Sequence, residues 1–230
     1  MASESVGIST TMAARVSHAI RNDIISGVLS PGVRLRVAEL STRYGVSHIP
    51  VREALRQLEG DRLVVIDPHK GAILRDVSAK FVADIHDTRA AIEVLLVRKA
   101  TEKITDAEVA ELGRLAAAYE EAAAAGRSAD MVLANLTFHR FIARIADNPE
   151  AAEFHDRGWE LVVSIRNRYG FGPGRIASVI DEHRRLVAAI RARDVGSAVA
   201  VTQEHCDAAK LDLLDRMAIT TGQRPTVTAP

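Results

Sequence analysis

Four polar side chains in the C-terminal part of this 230-residue chain stand where helical spacing calls for apolar ones. Asn135 and His139, one turn apart, fall on or beside a face made by Met131, Phe138, Ile142 and Ile145. His183 is surrounded by Ile176, Val179, Ile180, Val187 and Ile190, while the neighbouring Asp181, Glu182, Arg184 and Arg185 are read as pointing elsewhere. His205 shares a side with Ala198, Val201 and Ala209. Burying an unpaired imidazole or amide costs about 1 to 3 kcal/mol, so several on inward faces of one bundle need a common partner. A divalent metal ion supplies one. Three imidazoles and an oxygen suit Zn²⁺ best, with Ni²⁺ or Mn²⁺ as alternatives, and leave positions for water or a ligand carboxylate. A lone histidine on an apolar face is more often a hydrogen-bonded core residue. Three on three helices favour the metal. His18, His86 and His155 fit no such pattern and are read as surface residues.

Arg89 is a second anomaly, since Val82, Ile85, Ile92 and Leu96 place its guanidinium on an inward face. Two readings stand side by side. Glu93, four residues on, can neutralise it as a structural pair. Alternatively its planar fork can clamp the two oxygens of an effector carboxylate, with Arg166 and Arg168 as weaker candidates for the same pocket.

The elements that must position these groups are helices. From Val77 onward the pattern is helical only, with segments at about 78–102, 105–125, 128–146, 150–169, 174–193 and 195–218, broken at Thr105-Asp106, Gly126, Asn148-Pro149, Gly170 to Gly174 and Asp194. This reads as an all-α antiparallel bundle over 77–218. Ahead of it lies a smaller unit over 12–76: a helix from Ala13 to Gly27, a turn at Ser30-Pro31-Gly32, a short extended segment, a helix to Tyr44, and a further helix after Gly45. In that last helix Val51, Ala54, Leu55 and Leu58 form an apolar side, and His48, Arg52 and Arg56 form a polar stripe. Ser47 is placed to cap it by accepting the amide of Ile49. Helix, tight turn and helix is the layout that puts an arginine against a guanine edge, and a solvated helix face is the bland alternative. Leu63–Ile66 and Ala72–Leu74 then flank a basic hairpin tip, in which His69 and Lys70 can enter a minor groove or hold a phosphate and Gly71 allows close approach. Residues 1–11 and 219–230 read as disordered. The fold class expected is mainly α, a winged helix-turn-helix followed by a helical bundle. No Pro/Gly-rich spacer separates the two, so close coupling is expected.

These motifs carry a resemblance. Pro31-Gly32-x-Arg34-Leu35, then Gly45-Val46-Ser47-x-x-Pro50-Val51-Arg52-Glu53-Ala54-Leu55-x-x-Leu58 and the Pro68-to-Gly71 wing resemble the DNA-binding domain of GntR-family transcription regulators over about residues 13–75. The resemblance implies that Arg34, Arg43, Arg52 and the wing tip touch DNA; the family usually has arginine in place of His48. Over about 78–215 the chain is similar to the FCD effector domain, whose metal motif Asp/Asn-x3-His and two later histidines are matched by Asn135, His139, His183 and His205. Aspartate is the commoner residue at the place of Asn135. Arg89-x-x-x-Glu93 resembles the arginine and glutamate of the first FCD helix. The resemblance implies a cytoplasmic homodimeric regulator, more often a repressor, that reads a near-palindromic operator and answers to a small organic acid.

Composition agrees with this class. No apolar run approaches the roughly 20 residues that span a bilayer, the N-terminus lacks an export signal, and the single Cys206 offers no disulfide or cysteine cage. The formal charge is zero, yet residues 1–75 hold ten Lys/Arg against seven Asp/Glu, so the basic excess sits in the segment expected to meet phosphate. Two rival functions remain at this level. One is a regulator for which the metal itself is the signal. The other is a histidine-ligated metal hydrolase fused to a DNA-binding module, against which stands the lack of an evident carboxylate beside the histidines.

Overall fold

The computed structural model describes residues 11–67, 71–76, 78–156 and 159–221, with the backbone alone at 159–161 and 221. The chain divides into two compact units after Asp76. In the first, α1 (Met12–Ile25), β1 (Arg34–Leu35), α2 (Val37–Tyr44), α3 (His48–Gly60), β2 (Val64–Asp67) and β3 (Gly71–Leu74) follow in order. Thr11, read with the disordered segment, caps α1 by accepting the amide of Ala14 at 3.1 Å. Residues 1–10 and 68–70 lie outside the described residues, so the wing-tip His69 and Lys70 are among those left out.

The three strands form an antiparallel sheet in the order β1-β3-β2, pairing Leu35 with Ala72 and Val64 with Leu74. The unit's core comes from the inward sides of α1 and α3, where Ile20, Ile24, Val51 and Leu58 are fully buried, with Leu63 and Leu74 from the hairpin. The turn between α2 and α3 depends on Gly45, whose φ of +64° is the left-handed conformation that ends a helix without a Cβ penalty. Ser47 stands at the N-cap of α3, but its side chain makes no capping bond. The expected bond to Ile49 is absent.

The second unit contains α4 (Ala79–Lys103), α5 (Asp106–Ala124), α6 (Ser128–Ala146), α7 (Pro149–Asp156), α8 (Trp159–Tyr169), α9 (Arg175–Arg191) and α10 (Val195–Thr221). Two helical stretches, α7 and α8, stand in the place of the single helix expected over 150–169, with 157–158 outside the described residues. Helix α10 continues through Thr221, past the expected end at 218. Thr105 begins α5 with a capping box, accepting the amide of Glu108 while the Glu108 carboxylate accepts the amide of Thr105. Helix α4 packs against α10 and α6, and α9 against α5 and α10, around a core that includes Leu96, Leu112, Phe138, Ile142 and Ile190. This arrangement brings α6, α9 and α10 together. These are the helices that carry the three histidines.

Candidate metal centre and nucleic-acid interface

His139 on α6, His183 on α9 and His205 on α10 are all buried, and each offers a ring nitrogen within 4.8 Å of the others'. Their ring centroids lie 5.1 to 5.6 Å apart. A tetrahedral ion with bonds near 2.0 Å sets its nitrogens roughly 3.4 Å apart, so the rings would close by little more than roughly 1 Å to share one. The orphaned atoms test the fit most sharply: both Nδ1 and Nε2 of His183 are buried without a hydrogen-bond partner. An imidazole so placed meets the condition for a ligand, because burial, followed by the nearby His205, holds its pKa well below the usual value and keeps the ring neutral. Burial likewise pushes His139 down to about 3. The donor set suits a borderline divalent ion such as Zn²⁺.

Two carboxylates orient the other rings. Glu182 Oε2 lies 2.6 Å from His205 Nδ1, and Glu93 Oε2 lies 3.3 Å from His139 Nδ1, which leaves Nε2 of each ring for an ion. Glu182, expected to point away from this face, is instead buried and accepts from Arg175 Nη1 at 2.5 Å. The absence of a carboxylate beside the histidines, expected from sequence, is corrected by the same two residues. Burial works to raise the pKa of Glu93, and adjoining His139, His155 and Arg89 outweigh it, so the carboxylate stays ionised. Glu182→Gln should lower zinc affinity about 10- to 100-fold, measured by competition with a chelating dye, because a neutral amide replaces the ionised acceptor that fixes the His205 tautomer.

Beside the imidazoles is a cavity of about 90 Å³ whose wall includes His139, His205, Asn135, Arg89, Arg166 and Arg175. Asn135 thus shares the cavity with two of the three histidines of its motif. Arg89 is buried and bound to Glu93 Oε1 at 3.0 Å and to the His155 carbonyl at 2.6 Å, so the structural pair is formed at the cavity wall. Arg166 pairs with Asp212 and donates to the Gly170 carbonyl at 3.0 Å. Arg168 is exposed and does not line the cavity. Sequence reasoning misses Arg175: nothing in its local sequence distinguishes it from a surface arginine at a helix start.

His86 and His155 are buried, contrary to the surface reading; His18 is exposed. His155 Nε2 lies 3.0 Å from Glu93 Oε1, and its burial follows from α7 packing against α4. Cys206 also lines the cavity, its thiol 3.5 Å from Glu93 Oε2.

In the first unit, His48, Arg52 and Arg56 are exposed on α3, opposite the buried Val51, Ala54, Leu55 and Leu58. Their side chains make no ion pair among the described residues. Ile49 stands on the same face, 69% exposed. Sequence reasoning overlooks it, yet an apolar side chain so placed is of the kind that meets a thymine methyl. Arg34 is exposed on β1, and Gly71 opens β3 with φ +77°. Arg43 is engaged: its Nε donates to Asp23 at 2.7 Å, and the same carboxylate oxygen accepts from Tyr44 at 2.8 Å, which ties α2 to α1.

Comparison with known proteins matches both units. Residues 12–74 match the model of bacterial regulatory proteins of the gntR family, and residues 84–208 match the FCD domain. The chain is 30% identical over 194 residues to the HTH-type transcriptional repressor GlaR of Escherichia coli K12, covering 81% of this chain and 88% of that protein. It is 28% identical to a probable D-xylose utilization operon transcriptional repressor of Paenarthrobacter nicotinovorans, covering 80% and 81% of the two chains. Among solved structures, Escherichia coli McbR/YncC superimposes with a TM-score of 0.77 at 22% identity, over 91% of this chain and 100% of that one, which supports the fold. These relatives are regulators rather than enzymes. Among the described residues, no helix is long and apolar enough to cross a membrane. With an exposed basic face on the second helix of its helix-turn-helix and both family models matched in order, the chain belongs to the gntR family as a DNA-binding transcription regulator with an FCD domain.

Proposed function

We propose that this regulator is a homodimeric repressor whose hold on a near-palindromic operator is controlled by a small organic acid, bound beside a divalent metal in the helical unit. The observation that carries the reading is His183, with two buried and unpartnered nitrogens within ring-contact distance of two further buried imidazoles. The charge around the cavity favours an acid. Among the described residues, Arg89, Arg166 and Arg175 pair with the carboxylates of Glu93, Asp212 and Glu182 respectively. A divalent ion then leaves an excess of positive charge in a desolvated place, which an anionic ligand offsets. Repression is supported by the relatives that carry that description.

For the acid to release DNA it must favour a dimer geometry in which the two recognition helices no longer match their half-sites. Arg89 is the proposed carboxylate clamp, with Arg166 as a second contact. Because Arg89 already holds Glu93, an incoming carboxylate shares the guanidinium with it. Arg89→Lys keeps the positive charge beside Glu93 and loses the fork, so the fold survives where alanine would strand a buried carboxylate. Using an acid that raises the Tm of the zinc-loaded protein, the variant should need roughly tenfold or more acid to release operator DNA, with little change in acid-free DNA affinity. An unchanged acid response would remove Arg89 from the effector site. The reading in which metal alone is the signal predicts instead that zinc without acid changes operator affinity. Fluorescence anisotropy with and without zinc separates the two.

A further inference from the structure

We infer that the cavity wall offers two further hydrogen-bonding positions, the Tyr119 hydroxyl and His86 Nε2, that take hydroxyl groups of the ligand, so that the acid is a polyhydroxylated one. The inference rests on the acid reading above and narrows it. Tyr119, on α5, and His86, on α4, both line the cavity that Arg89, Asn135, His139 and His205 line. Both are buried, at 1% and 8% exposure, and both the phenol oxygen and Nε2 lack a hydrogen-bond partner. Among the described residues, the other buried side-chain atoms without a partner are Ser41 Oγ, in the first unit, and the two His183 nitrogens. The helical unit thus leaves buried polar atoms unmatched at the proposed metal and on the wall of the cavity beside it. A folded protein pairs almost all such atoms, and a ligand is one of the partners that can complete them.

The chemistry of the two groups selects the ligand group. A phenol keeps its proton at neutral pH, and burial together with Arg89 lowers the His86 pKa to about 4, so both groups are uncharged there. A phenol and a neutral imidazole each complement a hydroxyl, which donates one hydrogen bond and accepts others. A second carboxylate finds its counter-charges at the arginines instead. The ligand that satisfies the whole cavity therefore carries one anionic end for the metal and arginines, and hydroxyls along the remainder.

The test uses the full chain loaded with zinc and matched pairs of acids: 2,3,4-trihydroxybutanoate against 2-hydroxybutanoate, and gluconate against 2-hydroxyhexanoate. Members of a pair share the carboxylate and the 2-hydroxyl and differ only in the further hydroxyls. Isothermal titration should show the polyhydroxylated member of at least one pair binding roughly 10- to 100-fold tighter, since a site built to hydrogen-bond a hydroxyl discriminates strongly against its absence. Tyr119→Phe, which removes an atom that has no partner, should shrink that difference to about twofold or less. Equal binding within both pairs, or a preference that survives Tyr119→Phe and His86→Leu together, overturns the hydroxyl positions while leaving the acid reading in place. If zinc binds but no acid of either pair does, the acid reading falls and the hydroxyl positions with it.

Discussion

Replacing His183 with leucine should destabilise the zinc-loaded protein and stabilise the metal-free one. In the absence of metal, both ring nitrogens are buried without partners, and a group left in that state costs about 1 to 3 kcal/mol. Leucine removes that cost. It also gives up some packing, because the His183 ring stacks on Phe138 at 4.3 Å and meets Tyr119 edge-on at 5.3 Å, so the net gain should lie toward the lower end. With zinc present at a hundred times its dissociation constant, binding contributes about 2.7 kcal/mol to stability, and losing one of three imidazoles forfeits most of it. Urea unfolding of the two proteins, each in chelator and in excess zinc, should therefore give differences of opposite sign. Elemental analysis should show the variant's bound zinc falling well below that of the parent. Unchanged stoichiometry would refute the cluster, and destabilisation in both conditions would mean that His183 serves as a core residue.

Arg52→Ala should abolish preference for guanine at one position of each half-site while leaving the fold intact. The side chain is exposed on α3 and forms no ion pair among the described residues, so its removal leaves no buried charge unmatched. A bidentate contact to a guanine edge is worth about 1 to 3 kcal/mol of base discrimination, which is roughly 5- to 150-fold. Selection from random duplexes followed by competition binding reads it. In the same selection Ile49→Ala should relax a thymine position, and uracil at that position should weaken the parent but not the variant. A variant at Arg52 that still selects the parent's sequence would move the recognition surface elsewhere.

The parts of this molecule that are legible in sequence are those governed by local periodicity. The α3 stripe of His48, Arg52 and Arg56 is exposed because residues three and four apart share a face, and the same rule sets His139, His183 and His205 among apolar neighbours. The errors are non-local. Glu182 sits in the run Asp181 to Arg185, rich in charge, and its inward direction depends on Arg175 and His205, which are 7 and 23 residues away. His155 escapes a sequence reading because 150–169 looks like one helix, so the face that α7 turns toward α4 cannot be inferred. His86 is the exception, since it stands four residues after the buried Val82 and four before the buried Ala90, and helical spacing alone places it on the inward face. For Arg89 the sequence leaves two readings open. Its pairing with Glu93 at the cavity wall satisfies the first, and the second is what Arg89→Lys tests.

Crystals of the zinc-loaded protein, measured on both sides of the zinc absorption edge, would test most directly whether one ion joins α6, α9 and α10. The account predicts a single anomalous peak per chain, about 2 Å from a nitrogen of each of His139, His183 and His205. No peak at that position, or zinc bound only to surface histidines, would contradict it.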